Sequence, residues 1–172
     1  MRLLEIGEPT ALSLREIARN VGVSATAVYR HFPDKDSLLG ALAEHGLGLL
    51  AKRQRTVLSR LRGKSGFADL GRAYVRFALA HPGLYRLMFT HHRHAEKTLS
   101  GGPEGSAAWL LREQIALALG SAATEQRIAV TALRAWSLVH GLSMLILDAQ
   151  IDRVTGEAMI DTIVSVEAVG LG

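Results

Sequence analysis

Between Ser13 and Asp34 helix starts and stops follow one another so closely that only short helices fit. Ser13-Leu14-Arg15-Glu16 has the spacing of a capping box, in which the serine hydroxyl takes an orphan amide and the glutamate reaches back to the cap. A helix is predicted from Leu14, with Leu14, Ile17, Ala18 and Val21 on one face and Gly22 leaving it without a Cβ penalty. Ser24 caps a second helix that Pro33 stops after Phe32, and Asp34 caps a third carrying Ser37, Leu38, Leu39, Ala41 and Leu42. A two-turn helix buries too little to stand alone. The first two must lean on the third, which makes the block a trihelical head.

Helical signals continue to the end of the chain. The third helix runs on past Leu47, Leu50, Val57, Leu58 and Leu61 towards Gly63, as one rod or as two broken near His45-Gly46. Phe67, Leu70, Tyr74, Phe77 and Ala78 keep helical spacing up to Pro82-Gly83, and Leu84, Leu87 and Met88 suggest a short continuation. His91 to Glu104 reads as the longest loop. Helices are then expected from Ala107 to Leu119, from Glu125 to about Asp148, and from about Glu157 to Val169. The last is rich in β-branched residues and could form a strand, but no other segment offers it a partner.

Length and composition narrow the function. The 172 residues allow one ordinary domain or a small module joined to a medium one. Without cysteine there is no disulfide framework, thiol nucleophile or thiolate zinc site, which fits the cytoplasm. Glu5 and Glu8 interrupt any apolar core of a signal peptide, and Ala135 to Leu147 is too short to span a bilayer, so neither export nor a membrane partner is expected. Residues 1 to 64 carry eleven Lys/Arg against six Asp/Glu, and the remainder nine against ten. A basic first third suits a module facing nucleic acid, although Lys52 to Lys64 equally reads as a solvated helix face.

Two short helices joined by Gly22-Val23, the second opening on small and polar residues, have the pattern of a helix-turn-helix. Gly22 could also join an ordinary helical hairpin. The residues go further: Leu14-Arg15-Glu16-Ile17-Ala18, Gly22-Val23-Ser24, Val28-Tyr29-Arg30-His31-Phe32 and Lys35-Asp36-Ser37-Leu38-Leu39 together resemble the TetR family of one-component transcriptional regulators. Downstream, the run from Ala73 to Phe89, with Trp136, His140 and Gly141, looks like a C-terminal effector domain named for its W, H and G positions.

The resemblance implies an all-α chain, with a helix-turn-helix DNA-binding domain over residues 1–45 and an antiparallel helical effector-binding and dimerisation domain over 46–172. Ser24, Ala25, Thr26, Ala27 and Arg30 would meet double-stranded operator DNA, Arg30 having the fork that suits guanine O6 and N7. Tyr29, His31 and Lys35 would bind phosphates; the plain alternative for Tyr29 and His31 is packing against Phe32. Family members usually carry a full first helix before the segment matching Leu14, whereas only Met1 to about Gly7 could belong to one here, so the head is expected to be shortened.

From Ile128 to Leu147 Arg134 is the only formal charge, so this helix needs burial on two sides. With the segment 157–169 it would form half of an intersubunit four-helix bundle in a homodimer, unless it is the central helix of a monomeric core. Trp136 and His140 share a face, and Gly141 would admit another helix. Tyr74, Phe77, Tyr85, Met88 and Trp109 are candidate walls of an effector pocket, and the sequence names no effector.

His91-His92-Arg93-His94 invites a metal reading, but its acids Glu96 and Glu104 sit in a glycine-rich loop, and a solvated helix end is preferred; no metal or cofactor is expected. No G-x-S-x-G, phosphate-cradling glycine loop or H-E-x-x-H is present, so no catalytic residues and no enzyme activity are expected. The expectation is a repressor released from its operator by a small molecule. The alternative is an all-α ligand- or metal-binding protein whose shortened head no longer binds DNA.

Overall fold

The computed structural model describes residues 13–61, 66–91, 101–165 and 167–170. The expected shortened first helix at Met1–Gly7, His92, His94 and Glu96 of the histidine-rich stretch, and Gly63 lie outside the described residues. Among the described residues there are eight α-helices: α1 (Leu14–Val21), α2 (Ala25–His31), α3 (Lys35–Leu58), α4 (Phe67–Ala80), α5 (Pro82–Thr90), α6 (Ala107–Leu119), α7 (Glu125–Leu147) and α8 (Arg153–Ile163). There is no strand among the described residues. Single 3-10 turns stand at Gly120–Ala122 and Glu167–Val169.

Punctuation in the sequence sets most of the helix ends. The capping box at α1 is complete, with Ser13 Oγ accepting from Glu16 N and Glu16 Oε2 accepting from Ser13 N at 2.7 Å. Gly22 adopts φ 75°, ψ 25°, the left-handed conformation, and its amide donates back to Ala18 and Arg19 carbonyls. Thr124, Ser106 and Asp152 cap α7, α6 and α8 through Arg127 N, Trp109 N and Thr155 N. α3 is one continuous helix through Gly46.

The last helix corrects the expected span of 157–169. Asp152 starts it four residues earlier, at Arg153, and it stops at Ile163, where Val164 turns out of helical geometry and a separate 3-10 turn follows at Glu167–Val169. Two causes act together. The aspartate cap outweighs the periodicity that suggested Glu157, and the β-branched residues near the end are weak helix formers.

The chain divides into two compact units, one comprising residues up to 47 with 81–93, the other 48–80 with 94–172. In the first, α1 packs on α2, and Leu14, Ala18, Leu39 and Ala43 are buried. α5 belongs to this unit: its Leu84, Tyr85, Leu87 and Met88 are buried, Tyr85 meets Phe89 edge-on, and His91 stands 3.9 Å from Asp36. Gly46 is what lets α5 approach α3, since a Cβ there would lie 2.7 Å from Met88 Cγ and 3.0 Å from Leu84 Cδ1. The glycine read as a possible helix break is a packing contact.

In the second unit α4, α6, α7 and α8 pack on one another. Phe67, Ile115, Ala135 and Val169 form a buried cluster lined by Leu111, Leu119, Ile128 and Ala132. Gly71 and Gly156 are the close-approach points: a Cβ at the first would fall 2.6 Å from Val164 Cγ1, and at the second 2.4 Å from Ile146 Cδ1. Arg72 pairs with Asp69 on its own helix and ties α4 to α8 by pairing with Asp161. That pairing holds the Asp161 carboxyl below the ordinary carboxylate range.

α7 has 23 residues and a most apolar window of mean hydropathy 1.4, so by length and composition it could cross a bilayer, which the shorter run Ala135–Leu147 did not suggest. Its place in the packing and its faces argue for a bundle helix instead. Ala135, Val139, Leu142 and Ile146 are buried along one line, while Val130, Leu133, Leu138 and Leu145 are 37–46% exposed on the opposite side, together with Arg134 and Ser137.

Candidate nucleic-acid interface and ligand-binding residues

Of the residues that the sequence assigns to DNA, Ser24, Thr26, Ala27, Tyr29, Arg30 and His31 are exposed, and Ala25 and Lys35 are half-buried. None of the seven residues of α2 is fully buried. Ala25, Val28 and the following Phe32 are half-buried and turn towards the rest of the head, while Thr26, Ala27, Tyr29, Arg30 and His31 are exposed. Helical spacing puts Thr26 and Arg30 in one row and Ala27 and His31 in the next, with Tyr29 on the flank. Tyr29 is 46% exposed. Ser24 Oγ accepts from Ala27 N at 3.1 Å, which commits one lone pair to the cap and leaves its proton to donate. Lys35 is half-buried at the first turn of α3, close after the end of α2.

The head carries exposed guanidinium, imidazole and hydroxyl donors on both of its short helices. Arg30 and His31 occupy the last turn of α2, and Arg15 and Arg19 are exposed on α1. The Glu16 carboxyl lies below its ordinary range because Ser13 donates to it from backbone and side chain, so it stays anionic in its capping role. Guanidinium, hydroxyl and imidazole donors on a small-residue helix can reach phosphate oxygens and base edges.

In the second unit three of the residues assigned to a ligand pocket are hydrogen-bonded together. Trp136 Nε1 donates to Tyr74 Oη at 3.2 Å, and Tyr74 Oη lies 3.1 Å from His140 Nδ1. Burial pushes the His140 imidazole below its ordinary pKa, which favours the neutral ring. A neutral ring protonated on Nε2 lets Tyr74 donate to Nδ1 while it accepts from Trp136, so both bonds have a donor and an acceptor. Trp136 and His140 also meet edge-on, with centroids 6.0 Å apart. Phe77 lies one turn beyond Tyr74 on α4 and is buried.

The other assigned residues lie elsewhere. Trp109 is half-buried on the first turn of α6. Tyr85 and Met88 belong to the first unit and are completely buried there. Gly141 has open space where a Cβ would stand, on the exposed side of α7. Sequence reasoning missed Gln54, a buried amide on α3 whose Nε2 donates to the Leu70 carbonyl at 3.4 Å. Its setting in Lys52-Arg53-Gln54-Arg55 read as solvated, but Leu50 and Leu58, one turn before and after it, mark an apolar stripe that could have placed it. Among the described residues no three metal-ligating side chains converge.

Comparison with known proteins places both halves. Residues 1–42 match the family model described as bacterial regulatory proteins, tetR family, and residues 67–166 match that of a tetracyclin repressor-like C-terminal domain. The nucleoid occlusion factor SlmA of Haemophilus influenzae is 31% identical over 81 residues, which are 46% of this chain and only 37% of that protein. The chain thus spans little more than a third of that relative. The uncharacterized HTH-type transcriptional regulator YobS of Bacillus subtilis is 25% identical over 150 residues, 83% of this chain and 72% of YobS. Among solved structures, the putative regulatory protein SCO4313 superposes with a TM-score of 0.69 at 21% identity, over 98% of this chain and 90% of its own. A protein of unknown function from Rhodococcus sp. RHA1 gives 0.63 at 28% identity, over 98% and 87%.

Proposed function

Because this chain belongs to the TetR family of bacterial regulatory proteins, we propose that it is a DNA-binding transcriptional regulator, acting as a cytoplasmic repressor that a small-molecule effector releases from its operator. The observation that carries the reading is α2: a short helix capped by Ser24, joined to α1 by a left-handed Gly22, with its Thr26, Ala27, Arg30 and His31 side exposed. A helix exposed on the side that bears its donors, with α1 packed against it, is the shape that enters a major groove. Thr26 and Arg30 read bases there. Tyr29, His31, Lys35 and the Ser24 hydroxyl hold phosphates on either side. The DNA-binding domain covers residues 1–45 and the effector-binding and dimerisation domain residues 46–172.

The regulator acts as a homodimer through α7 and α8. Val130, Leu133, Leu138 and Leu145 on α7, with Val154 and Met159 on α8, expose apolar side chains that a folded monomer gains nothing by displaying. Gly141 supports the same reading, because its open Cβ position is a flat spot on that face where a partner helix can come close. Two heads on a twofold axis then address two half-sites.

The effector binds near Tyr74, Phe77, Trp136 and His140, and its preference for the DNA-free spacing of the heads is the release. Typical coupling of ~1–3 kcal/mol per allosteric pair changes operator affinity by about five- to 150-fold. A regulatory rather than enzymatic role agrees with the family of both halves.

The test is a gel shift of the purified chain on DNA from its own upstream region at graded salt. A retarded band that weakens steeply with salt and disappears on adding an effector supports the proposal. Binding to no duplex, or binding that ignores salt, overturns it.

A further inference from the structure

Gln54 is the most buried amide in the second unit, 4% exposed, and it is only half satisfied. Its Nε2 donates to the Leu70 carbonyl of α4 at 3.4 Å, and its Oε1 has no hydrogen-bond partner among the described residues. The orientation is set by chemistry, since a backbone carbonyl only accepts and the amide nitrogen must face it. A buried acceptor without a donor is rare in folded proteins and calls for an explanation. Leu70 and Tyr74 are one turn apart on α4, so Gln54 approaches the helix beside the turn that carries Tyr74 and its bonds to Trp136 and His140. Among the described residues of this unit, Gln54, Thr131 and Ser143 are the buried polar side chains outside the aromatic ones, and none of them is charged.

Building on the effector reading above, we infer that Gln54 Oε1 is the acceptor that recognises the effector, and that the effector is an uncharged, mostly apolar molecule bearing a hydroxyl or N–H donor. Leu50, Ala51, Leu70 and Phe77, all buried, supply the apolar surroundings of that acceptor's helices. An anion would meet an acceptor-only oxygen. A cation would meet no buried carboxylate among the described residues. A neutral donor satisfies the amide and leaves the apolar side chains to bury the rest of the molecule.

The experiment is calorimetric titration of the full chain with para-alkylphenols from methyl to octyl, each paired with its methyl ether, which has the same shape but no donor. At the best chain length the phenol should bind about tenfold tighter than the ether, because a site built around a buried polar group rejects the analogue that leaves it unpaired. In Gln54→Leu and in Gln54→Met that preference should collapse to about twofold or less, with a melting temperature equal to or above that of the unmodified chain. No saturable binding by any phenol, equal binding of phenol and ether, or a lowered melting temperature in both variants overturns the assignment, the last because it makes the amide a structural group. Failure of the effector reading looks different. In that case the Gln54-dependent preference is present, but the bound phenol leaves operator affinity unchanged.

Discussion

Replacing both Leu138 and Leu145 by glutamate should convert the dimer to a folded monomer. The two residues are seven apart on α7, on the line that also holds Arg134 and Gly141, and are 37% and 44% exposed. Full burial of a leucine side chain is worth ~2 kcal/mol, so covering these exposed fractions contributes ~0.8 kcal/mol at each position. A twofold interface uses each residue twice, giving ~3 kcal/mol per dimer, or about a hundredfold in the dissociation constant. The carboxylates brought near the axis would add a further cost, offset in part at position 138 by Arg134 one turn away and uncompensated by it at position 145. Sedimentation velocity at micromolar concentration should show one species of half the mass, with helical circular dichroism and melting temperature close to those of the unmodified chain. Val139→Glu is the control with the opposite signature. Val139 is 8% exposed and lies on the line of Ala135, Leu142 and Ile146 inside its own chain, so a carboxylate there should unfold the protein rather than divide it. A double variant that still sediments as a dimer would refute the assignment of this face, as would an unmodified chain that is already a monomer.

Two more outcomes follow from the structure. Burial holds the folded-state pKa of His140 below its ordinary 6.5, so the unfolded chain binds the proton more readily; the stability contributed by the neutral ring is present above that value and is lost as pH falls below it. Chemical denaturation from pH 8 to 5 should show this loss, and in His140→Phe the slope should flatten; an unchanged slope would mean that His140 stays accessible to protons when folded. Gly48→Ala, at an exposed α3 position whose Cβ meets nothing, should stabilise by ~1 kcal/mol, whereas Gly71→Ala should cost ~1–3 kcal/mol because Val164 Cβ would lie 2.8 Å away. Equal melting temperatures for the two variants would contradict the packing of α4 on α8.

What was legible in the sequence is local, and what was not is tertiary. The capping box at Ser13 and Glu16, the left-handed Gly22, the Ser24 cap and Pro33 act within a few residues of themselves, so the short helices of the head could be read directly. The end of the chain was misplaced because periodicity in a β-branched segment is a weaker signal than one capping aspartate at Asp152. The apolar run of α7 announced two buried sides, yet nothing local distinguishes Val139, which faces its own chain, from Leu138, which faces out. Tyr74 and Trp136 were both suspected, but the hydrogen bond between them spans 62 positions and depends on how α4 crosses α7. Gln54 was hidden by the basic residues beside it, since burial depends on helix face and not on neighbouring charge.

The central claim is that the exposed side of α2 reads DNA sequence, and an operator-wide affinity scan of Arg30→Ala against Lys35→Ala tests it most directly. Fluorescence anisotropy with duplexes carrying each single base-pair change should show Arg30→Ala losing ~1–3 kcal/mol chiefly at one base pair, with discrimination there relaxed. Lys35→Ala should weaken every duplex alike and make the salt dependence shallower by about one charge. If Arg30→Ala instead weakened all duplexes equally while the base preferences of the operator stayed intact, α2 would be only an electrostatic contact, and the recognition surface would have to lie elsewhere.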